Sequence, residues 1–327
     1  MNLWKPAAAI ATALAISAGL CLTYTPIVFA EALPLLSKLG LPSKPPALIS
    51  NAPAPGPALG TVIGGYWRVQ TIAPETYALG EPQGDPDNYE YLLVGRTRAL
   101  LIDAGSTPSH DIRPVLANLT RLPVTVIPTH LHSDHTNGLK FLTNVALIDL
   151  PQTRERVRNG VVHLARYQFM GTVGPSAAPP FKVSEWVQPG GFLDLGGRRV
   201  QILSTPGHTA TSISVHDPVA KLLFTGDLIY PTSLYAFMPD SSLAAYAFTA
   251  DRLSATLPAA TVIYGAHCCR NDFPAQAPWL SMSDLRDLST AVKAVEAGTA
   301  KGRGVILRRY PVNSRMTLIT LFPFGNR

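Results

Sequence analysis

The sequence predicts an α/β (α+β) protein whose β-sheets are mixed, and two observations carry this prediction. Short β-rich runs such as YEYLLVG and RALLIDAG alternate with segments whose apolar residues recur at helical spacing, such as DIRPVLANLTRL. Tight turns separate several consecutive β-rich runs, including the Gly196-Gly197 pair in GFLDLGGRRVQILS. Because hairpins make strands antiparallel while intervening helices allow parallel pairing, we expect both orientations in the sheets.

The predicted elements follow in chain order from residue 89. The strand candidates are YEYLLVG, RALLIDAG, VTVIPTH, GFLDL, RRVQILS, ISVHD, KLLFTGD and TVIYGAH, with GVILRRYPV and MTLITLFPF expected as edge strands. The helix candidates are DIRPVLANLTRL, GLKFLTN, RERVRNGVVHLARYQFM, residues 242–256 and SMSDLRDLSTAVKAVEAG. In the last helix Ser283 suits the N-cap and Gly298 the C-terminal stop.

The composition is that of a globular protein and does not indicate a nucleic-acid partner. Apolar residues make up 46% of the chain and charged residues 15%, which supports a packed core and argues against disorder. The net charge of +6 is modest for 327 residues. Basic clusters occur at Arg154–Arg158 and Arg303–Arg309, but aromatic residues do not interleave with them in a stripe. We therefore interpret them as solvated faces and expect no nucleic-acid partner.

The first 30 residues are typical of a secretory signal peptide. A lysine at position 5 precedes an uncharged, mostly apolar run from Ala7 to Ala30 that ends in Val28-Phe29-Ala30, where small residues suit a signal peptidase. The sequence thus predicts a periplasmic or secreted protein with no stable membrane partner after cleavage. The alternative is an uncleaved N-terminal anchor, because the run is long enough to span a bilayer.

Residues 31–60 are predicted to form a proline-rich linker or arm, and residues 61–327 the catalytic domain. Seven prolines lie between Pro34 and Pro57, and each restricts the backbone to extended conformations. The chain that remains after signal removal has two cysteines, the adjacent Cys268 and Cys269. Because a disulfide between neighbours is strained, we expect two small buried side chains and no disulfide.

The segment THLHSDHTNG at residues 129–138 concentrates three of the eight histidines within six positions. In an extended chain, residues two apart point the same way, so His130 and His132 should face one side together. A turn after them allows Asp134 and His135 to approach from a neighbouring direction. Such a density of nitrogen and oxygen ligands after a buried strand indicates a metal site.

A catalytic metal needs three or four protein ligands and an open position, so further ligands are required. Three candidates each follow an apolar β run and sit beside a glycine: His208 in STPGHT, Asp227 in FTGD and His267 in VIYGAH. The glycine lets the backbone turn and bring the ligand to one rim of a sheet. The remaining histidines, His110, His163 and His216, lack this setting and are interpreted as structural.

The motifs THLHSDH, TPGHT, FTGD and GAH, in this order, resemble the metal-binding motifs of the metallo-β-lactamase superfamily, over roughly Thr61 to Gly298. The resemblance implies a four-layer αβ/βα sandwich of two mixed β-sheets flanked by helices, with the metal site at one edge. It also implies two Zn²⁺ ions, with other divalent metals such as Mn or Fe as alternatives. By matching position, His130, His132 and His208 would hold one ion, Asp134, His135 and His267 the other, and Asp227 would bridge both.

The implied activity is hydrolysis of a small-molecule substrate, an ester, lactone, thioester or phosphoester, by a metal-bound hydroxide. Asp134 is expected to be catalytic as well, by steering the hydroxide or carrying a proton. Tyr230, three residues after Asp227, stands at the spacing of a tyrosine that contacts the substrate carbonyl in quorum-quenching lactonases of the superfamily. Its phenol would donate to a developing oxyanion, the alternative being a tyrosine packed at a strand end.

Three other functions remain open on the sequence. A β-lactamase would suit an exported protein, but Asp227 stands where the zinc β-lactamases of the superfamily lack an aspartate. A mononuclear-iron dioxygenase shares much of the ligand set. A non-catalytic binding module on the same fold would be expected to have lost ligands, and this chain has the full set. The oligomeric state is not predicted.

Overall fold

The protein is described by a computed structural model that covers residues 61–81, 87–107, 109–169, 180–268 and 277–321. The predicted signal peptide (1–30) and proline-rich arm (31–60) lie outside the described residues. The α-helices are α1 (Arg113–Leu119), α2 (Ser133–Thr136), α3 (Pro151–Arg154), α4 (Leu243–Thr256) and α5 (Met282–Glu296). Within the described ranges, none of these helices is long and apolar enough to cross a membrane.

Strands supply most of the regular structure. They are β1 (Thr61–Ile63), β2 (Trp67–Ala73), β3 (Thr76–Glu81), β4 (Asp87–Val94), β5 (Ala99–Ile102), β6 (Val124–Ile127), β7 (Ala146–Ile148), β8 (Val157–Arg158), β9 (Val161–Val162), β10 (Phe181–Lys182), β11 (Glu185–Val187), β12 (Phe192–Asp194), β13 (Arg199–Ser204), β14 (Ile213–Asp217), β15 (Leu222–Phe224), β16 (Ser233–Tyr235), β17 (Val262–Tyr264), β18 (His267–Cys268), β19 (Trp279–Ser281), β20 (Leu307–Pro311) and β21 (Thr317–Leu321).

Two large mixed sheets dominate the architecture. The first has the order β1-β2-β3-β4-β5-β6, with β18 also paired to β4; β5 and β6 pair in parallel, and the other strand pairs described are antiparallel. The second has the order β12-β13-β14-β15-β17-β19, and its only parallel pair is β15 with β17. Smaller sheets are formed by β11-β7, β10-β9-β8 and β16-β21-β20. The prediction of mixed sheets is therefore confirmed.

Side-chain alternation shows how the layers stack. Leu93 of β4 and Phe224 of β15 belong to one core that lies between the two sheets. The residue before each points the other way: Leu92 packs with Val115 of α1, and Leu223 packs with α4 and α5. Since successive residues of a strand face opposite sides, each sheet has helices on its outer face and the other sheet on its inner face. This is the expected four-layer αβ/βα sandwich.

The helix predicted over RERVRNGVVHLARYQFM is wrong. Only the short α3 precedes this segment, which then forms the hairpin β8–β9 and a 3-10 turn at Arg166–Phe169. The cause is the Asn159-Gly160 pair, whose φ angles of 52° and 73° form a tight turn that ends any helix. Local turn chemistry thus overrides the helical spacing of the apolar residues.

Three smaller expectations also need correction. GLKFLTN forms part of a 3-10 turn at Asn137–Phe141 in place of an α-helix. Helix α5 is capped by Ser281, whose backbone N–H donates to Asp284 Oδ2 at 2.8 Å, and not by Ser283, although Gly298 (φ 69°) follows its end as expected. Of the two C-terminal strands, β20 is an edge strand as expected, whereas β21 is the central strand of a separate sheet, between β16 and β20.

The expectation for the cysteines is wrong in one respect. Cys268 is fully buried, as expected, but it is disulfide-bonded. The other two cysteines of the chain, Cys21 and Cys269, lie outside the described residues.

Candidate metal centre

The predicted ligands converge because the strands before them end at the same edge of the two sheets. His208 follows β13 and Asp227 follows β15, two strands that run in the same direction on either side of β14. His267 follows β17, which is parallel to β15. From the first sheet, the segment after β6 delivers His130. Carboxyl ends of strands that run in one direction share one edge, which is where α/β proteins place their binding sites.

The turn between β15 and Asp227 requires a glycine. Gly226, immediately before Asp227, has φ of 52°, and a Cβ there would lie 2.4 Å from Thr129 Oγ1. A side chain at this position would push the end of β15 away from the segment that carries His130. The glycine beside Asp227 therefore permits the close approach of the two ligand-bearing segments.

The first group consists of three buried histidines. His130 Nε2 lies 2.9 Å from His132 Nδ1, and His208 Nε2 lies 3.1 Å from the same atom. Burial, followed by the neighbouring histidines, lowers the pKa of His130 well below its usual value, and that of His132 to about 3. Neutral imidazoles whose nitrogens face a common point are the form that binds a cation.

The second group combines two carboxylates with two histidines. Asp227 Oδ1 lies 3.1 Å from His267 Nε2 and 3.4 Å from His135 Nε2. Asp134 Oδ2 lies 3.6 Å from His135 Nε2 and 3.5 Å from His267 Nε2. These four ligand atoms lie within 4.8 Å of one another. They form a compact cluster of nitrogen and oxygen donors.

Asp227 lies between the two groups. Its Oδ1 faces His135 and His267, while its Oδ2 lies 3.4 Å from His208 Nε2 of the first group. A carboxylate with one oxygen toward each cluster has the geometry of a bridging ligand. The structure thus brings all seven predicted residues together, and their assignment as ligands stays a prediction.

Several buried polar atoms at the centre show that a cation fits there. His135 Nε2 and Asp227 Oδ1 lie 3.4 Å apart, and both are buried without a hydrogen-bond partner, as is Asp134 Oδ1. Buried polar atoms are nearly always satisfied, so unsatisfied donor atoms within the second group indicate a ligand that completes them. Imidazole nitrogens and carboxylate oxygens suit zinc and also manganese or iron. The residues present therefore fit divalent metal binding.

In the second group, neighbouring charges and burial shift the pKa values in opposite directions. Burial alone would lower the pKa of His135 and His267, but the surrounding carboxylates raise that of His135 well above its usual value and that of His267 to about 9. Burial alone would raise the pKa of Asp227, but His267, His135 and His208 hold it well below its usual range. Without a cation, this group is a set of imidazolium–carboxylate pairs.

Residues that the sequence analysis missed hold the ligands in place. Asp103 Oδ2 lies 2.9 Å from His135 Nδ1, and the Thr129 N–H and hydroxyl donate to the same carboxylate at 2.6 and 3.0 Å. His208 Nδ1 donates to the Tyr235 carbonyl at 2.8 Å, which leaves its Nε2 for the centre. In RALLIDAG, Asp103 directly follows an apolar β run and stands two residues before Gly105, but only its contact with His135 reveals its role.

Tyr230 lies beside the second group. Its ring is fully buried and meets the His267 ring nearly edge-on, with centroids 5.2 Å apart. Burial and then the Asp227 carboxylate raise the pKa of the phenol well above its usual value, so it stays protonated. Its hydroxyl is buried without a hydrogen-bond partner. The predicted contact of this hydroxyl with substrate stays a prediction.

The three histidines interpreted as structural lie away from the two groups. His110 stacks on Tyr66 with ring centroids 3.6 Å apart, and His216 lies in β14, paired with Gln201 of β13. The His163 N–H donates to the Arg156 carbonyl at 2.9 Å. None of them belongs to either ligand cluster among the described residues.

Comparison with known proteins agrees with this geometry. The sequence profile of the metallo-beta-lactamase superfamily matches residues 89–267, a span that contains all seven ligand candidates. The acyl-coenzyme A thioesterase MBLAC2 of Homo sapiens is 30% identical over 186 residues, which cover 50% of this chain and 66% of that protein. The same-named protein of Gallus gallus is 29% identical over 180 residues, with 50% and 65% covered. The match thus spans slightly less than two thirds of these relatives' own length.

A longer match links the chain to a bacterial enzyme. The hydroxyacylglutathione hydrolase of Serratia proteamaculans is 26% identical over 227 residues, which cover 67% of this chain and 77% of that protein. Among solved structures, a metallo-beta-lactamase from Pontibacter korlensis superposes with a TM-score of 0.53 at 19% identity, covering 69% of this chain and 99% of that one. This structural likeness shows a shared fold.

Proposed function

Because the chain belongs to the metallo-beta-lactamase superfamily, we propose that it is a dinuclear zinc-dependent hydrolase. The observation that carries the proposal is the position of Asp227, with one carboxylate oxygen toward each of two ligand clusters. His130, His132 and His208 would hold one ion, and Asp134, His135 and His267 the other. When bound, the ions make water nucleophilic near neutral pH and polarise the bond to be cleaved.

The chain's own residues would orient the reactants. Asp134 is the most exposed of the seven, with 25% of its side chain accessible. From this position it would orient the attacking water and accept its proton. The protonated phenol of Tyr230 would donate to the oxygen of the substrate that gains negative charge. Because the other ligands are enclosed, substrate would approach from the side of Asp134.

The substrate class we propose is a small acyl thioester. The relatives named as acyl-coenzyme A thioesterase and hydroxyacylglutathione hydrolase both remove an acyl group from a carrier, and they match the part of the chain that holds the ligand clusters. Small esters, lactones and phosphoesters are the related substrates to compare. We further propose that the enzyme acts after export, in the periplasm or outside the cell, on the basis of residues 1–30.

The test combines metal analysis with a substrate panel on the purified full chain. We expect about two zinc ions per chain and thioester hydrolysis that a chelator abolishes and added zinc restores. Two bound metals without hydrolysis of any thioester, ester, lactone or phosphoester would contradict the proposal. Nitrocefin turnover would support a β-lactamase, and one iron per chain with oxygen uptake would support a dioxygenase.

A further inference from the structure

We propose that Asn88 is a positioning residue for the second ion, because it joins the two chain segments that carry Asp134 and His267. This inference rests on the proposed dinuclear centre and assigns a role to a residue outside its ligand set. Asn88 lies in β4 and is 1% exposed. The amide of a fully buried asparagine needs hydrogen-bond partners, and the partners of Asn88 indicate what it positions.

The side chain of Asn88 holds the segment that carries Asp134. Its Nδ2 donates to the Asp134 carbonyl at 2.9 Å, a contact between residues 46 positions apart in the chain. Asp134 lies in α2, a helix of only four residues that has no packed length of its own to fix its position. The amide of Asn88 is therefore an external attachment point for this ligand-bearing turn.

The backbone of the same residue holds the segment that carries His267. Asn88 is the ladder partner of His267 in the antiparallel pair β4–β18, and the adjacent Tyr89 N–H donates to the Ala266 carbonyl at 2.8 Å. One residue thus contacts both Asp134 and His267, two ligands of the second group. Its position sets the distance between them.

Two buried carboxyl groups fix the orientation of the amide. Asn88 Nδ2 also donates to Glu90 Oε1 at 2.9 Å and lies 3.4 Å from Glu81 Oε2. Glu81 is anchored in turn, because the Ser106 N–H and hydroxyl each donate to its Oε2 at 2.7 Å. With acceptors on this side, the NH₂ of Asn88 must point at the Asp134 carbonyl, and its own Oδ1 must point away.

The first group is held by different contacts. His208 donates through Nδ1 to the Tyr235 carbonyl, and the Ser241 hydroxyl donates to the His208 carbonyl at 2.6 Å. The Thr136 hydroxyl donates to the His132 carbonyl at 2.9 Å. In the described part of the chain, the Asn88 side chain donates toward Glu81, Glu90 and Asp134, and not to His130, His132 or His208. Loss of Asn88 should therefore weaken binding of the second ion selectively.

The test is a zinc titration of the metal-stripped full chain against a chromogenic chelator, which yields two dissociation constants. We expect Asn88→Ala to raise the second constant by about tenfold or more and to leave the first within about twofold. Asn88→Asp, which replaces the donor with a carboxylate facing Glu81 and Glu90, should weaken the second ion at least as much. Gln70→Ala is the control, because the Oε1 of this buried amide accepts from the Ala277 N–H at 2.6 Å, a contact that joins β2 to the segment before β19.

Glu90→Ala provides a second route should Asn88→Ala fail to fold. It removes the carboxyl group that orients the amide and leaves Asn88 in place, so it should weaken the second ion in the same direction. Equal weakening of both ions in Asn88→Ala, or an unchanged second constant, would overturn the inference. If the wild-type chain bound two ions and hydrolysed thioesters while Asn88→Ala bound both normally, only this inference would fail. A wild-type chain with a single ion would instead refute the dinuclear centre itself.

Discussion

Asp103 Oδ2 lies 2.9 Å from His135 Nδ1, and both side chains are buried. This contact fixes which nitrogen of His135 faces the ligand cluster, because Nδ1 keeps its hydrogen for the carboxylate and Nε2 points to Asp134 and Asp227. Asp103 is itself held by Thr129, in the same segment as His130. The ligand-bearing loop is thus braced from the end of β5.

Asp103→Ala should therefore lower metal affinity and hydrolysis together. Removing a carboxylate that orients a ligating histidine costs roughly 10- to 100-fold in affinity. Zinc titration and thioester turnover would measure the effect. Asp217→Ala is the control, because Asp217 is equally buried but pairs with Arg198 at 2.7 Å away from the ligand clusters. The control should lose thermal stability and keep its zinc, and an Asp103 variant with normal zinc affinity would contradict the assignment.

Asp227→Ala should lose metal and activity while the fold stays intact. The carboxylate faces both clusters, so its removal takes a ligand from each ion at once. We expect fewer than two zinc ions per chain and at least about a 100-fold drop in turnover. Circular dichroism should match the wild type, because the ligand edge contributes little to the core between the sheets. Turnover equal to that of the wild type would remove the dinuclear assignment.

Zinc binding should release protons, and mostly from the second group. Without metal, His267 has a pKa raised to about 9 and His135 a pKa well above its usual value, so both carry a proton at pH 7 that the ion must displace. His132, with its pKa lowered to about 3, is already neutral. Affinity for the second ion should then rise with pH, through the pKa of His267 near 9.

Calorimetry in buffers of different ionisation enthalpy measures this release directly. At pH 7 we expect about two protons for the second ion and fewer for the first. Release that is equal for the two ions, or affinity for the second ion that falls as pH rises from 6 to 8, would contradict the described charge states of His135 and His267.

Tyr230→Phe should reduce turnover without reducing stability. The phenol oxygen has no hydrogen-bond partner in the structure, so its removal breaks no internal contact. We expect a fall in kcat of about tenfold or more, with unchanged zinc content and an unchanged Tm. Tyr246→Phe is the comparison, because its hydroxyl donates to the Leu228 carbonyl at 2.5 Å and the Asp227 carbonyl at 3.0 Å, and its loss should cost about 1 kcal/mol of stability. If Tyr230→Phe kept full activity on every substrate, the hydroxyl would have no role in catalysis and the ring would serve only in packing.

The ligand candidates were visible in the sequence because each follows an apolar β run beside a glycine or within one dense motif. Local sequence is enough to place His208, Asp227 and His267, since the strand before each one fixes the sheet edge at which it lies. Asn88 and Asp103 were missed because their roles depend on contacts across 46 and 32 positions of chain, respectively. No local pattern encodes such pairs.

The errors in secondary structure have a local cause. RERVRNGVVHL has apolar residues at helical spacing, yet Asn159 and Gly160 adopt positive φ and turn the chain into a hairpin. Apolar periodicity indicates which side chains are buried, while the turn residues determine whether the backbone forms a helix or a hairpin. The Asn-Gly pair was the stronger signal.

The unequal enclosure of the two clusters has a consequence for how ions are exchanged. His130, His132 and His208 are at most 2% exposed, whereas Asp134 of the second group has a quarter of its side chain open to solvent. A chelator that approaches through solvent meets the second cluster first. We expect metal loss in two kinetic phases, a fast phase from the cluster of Asp134 and a slow one from the three histidines. A singly loaded species would accumulate between them, and its ion would be the one held by the three histidines and Asp227.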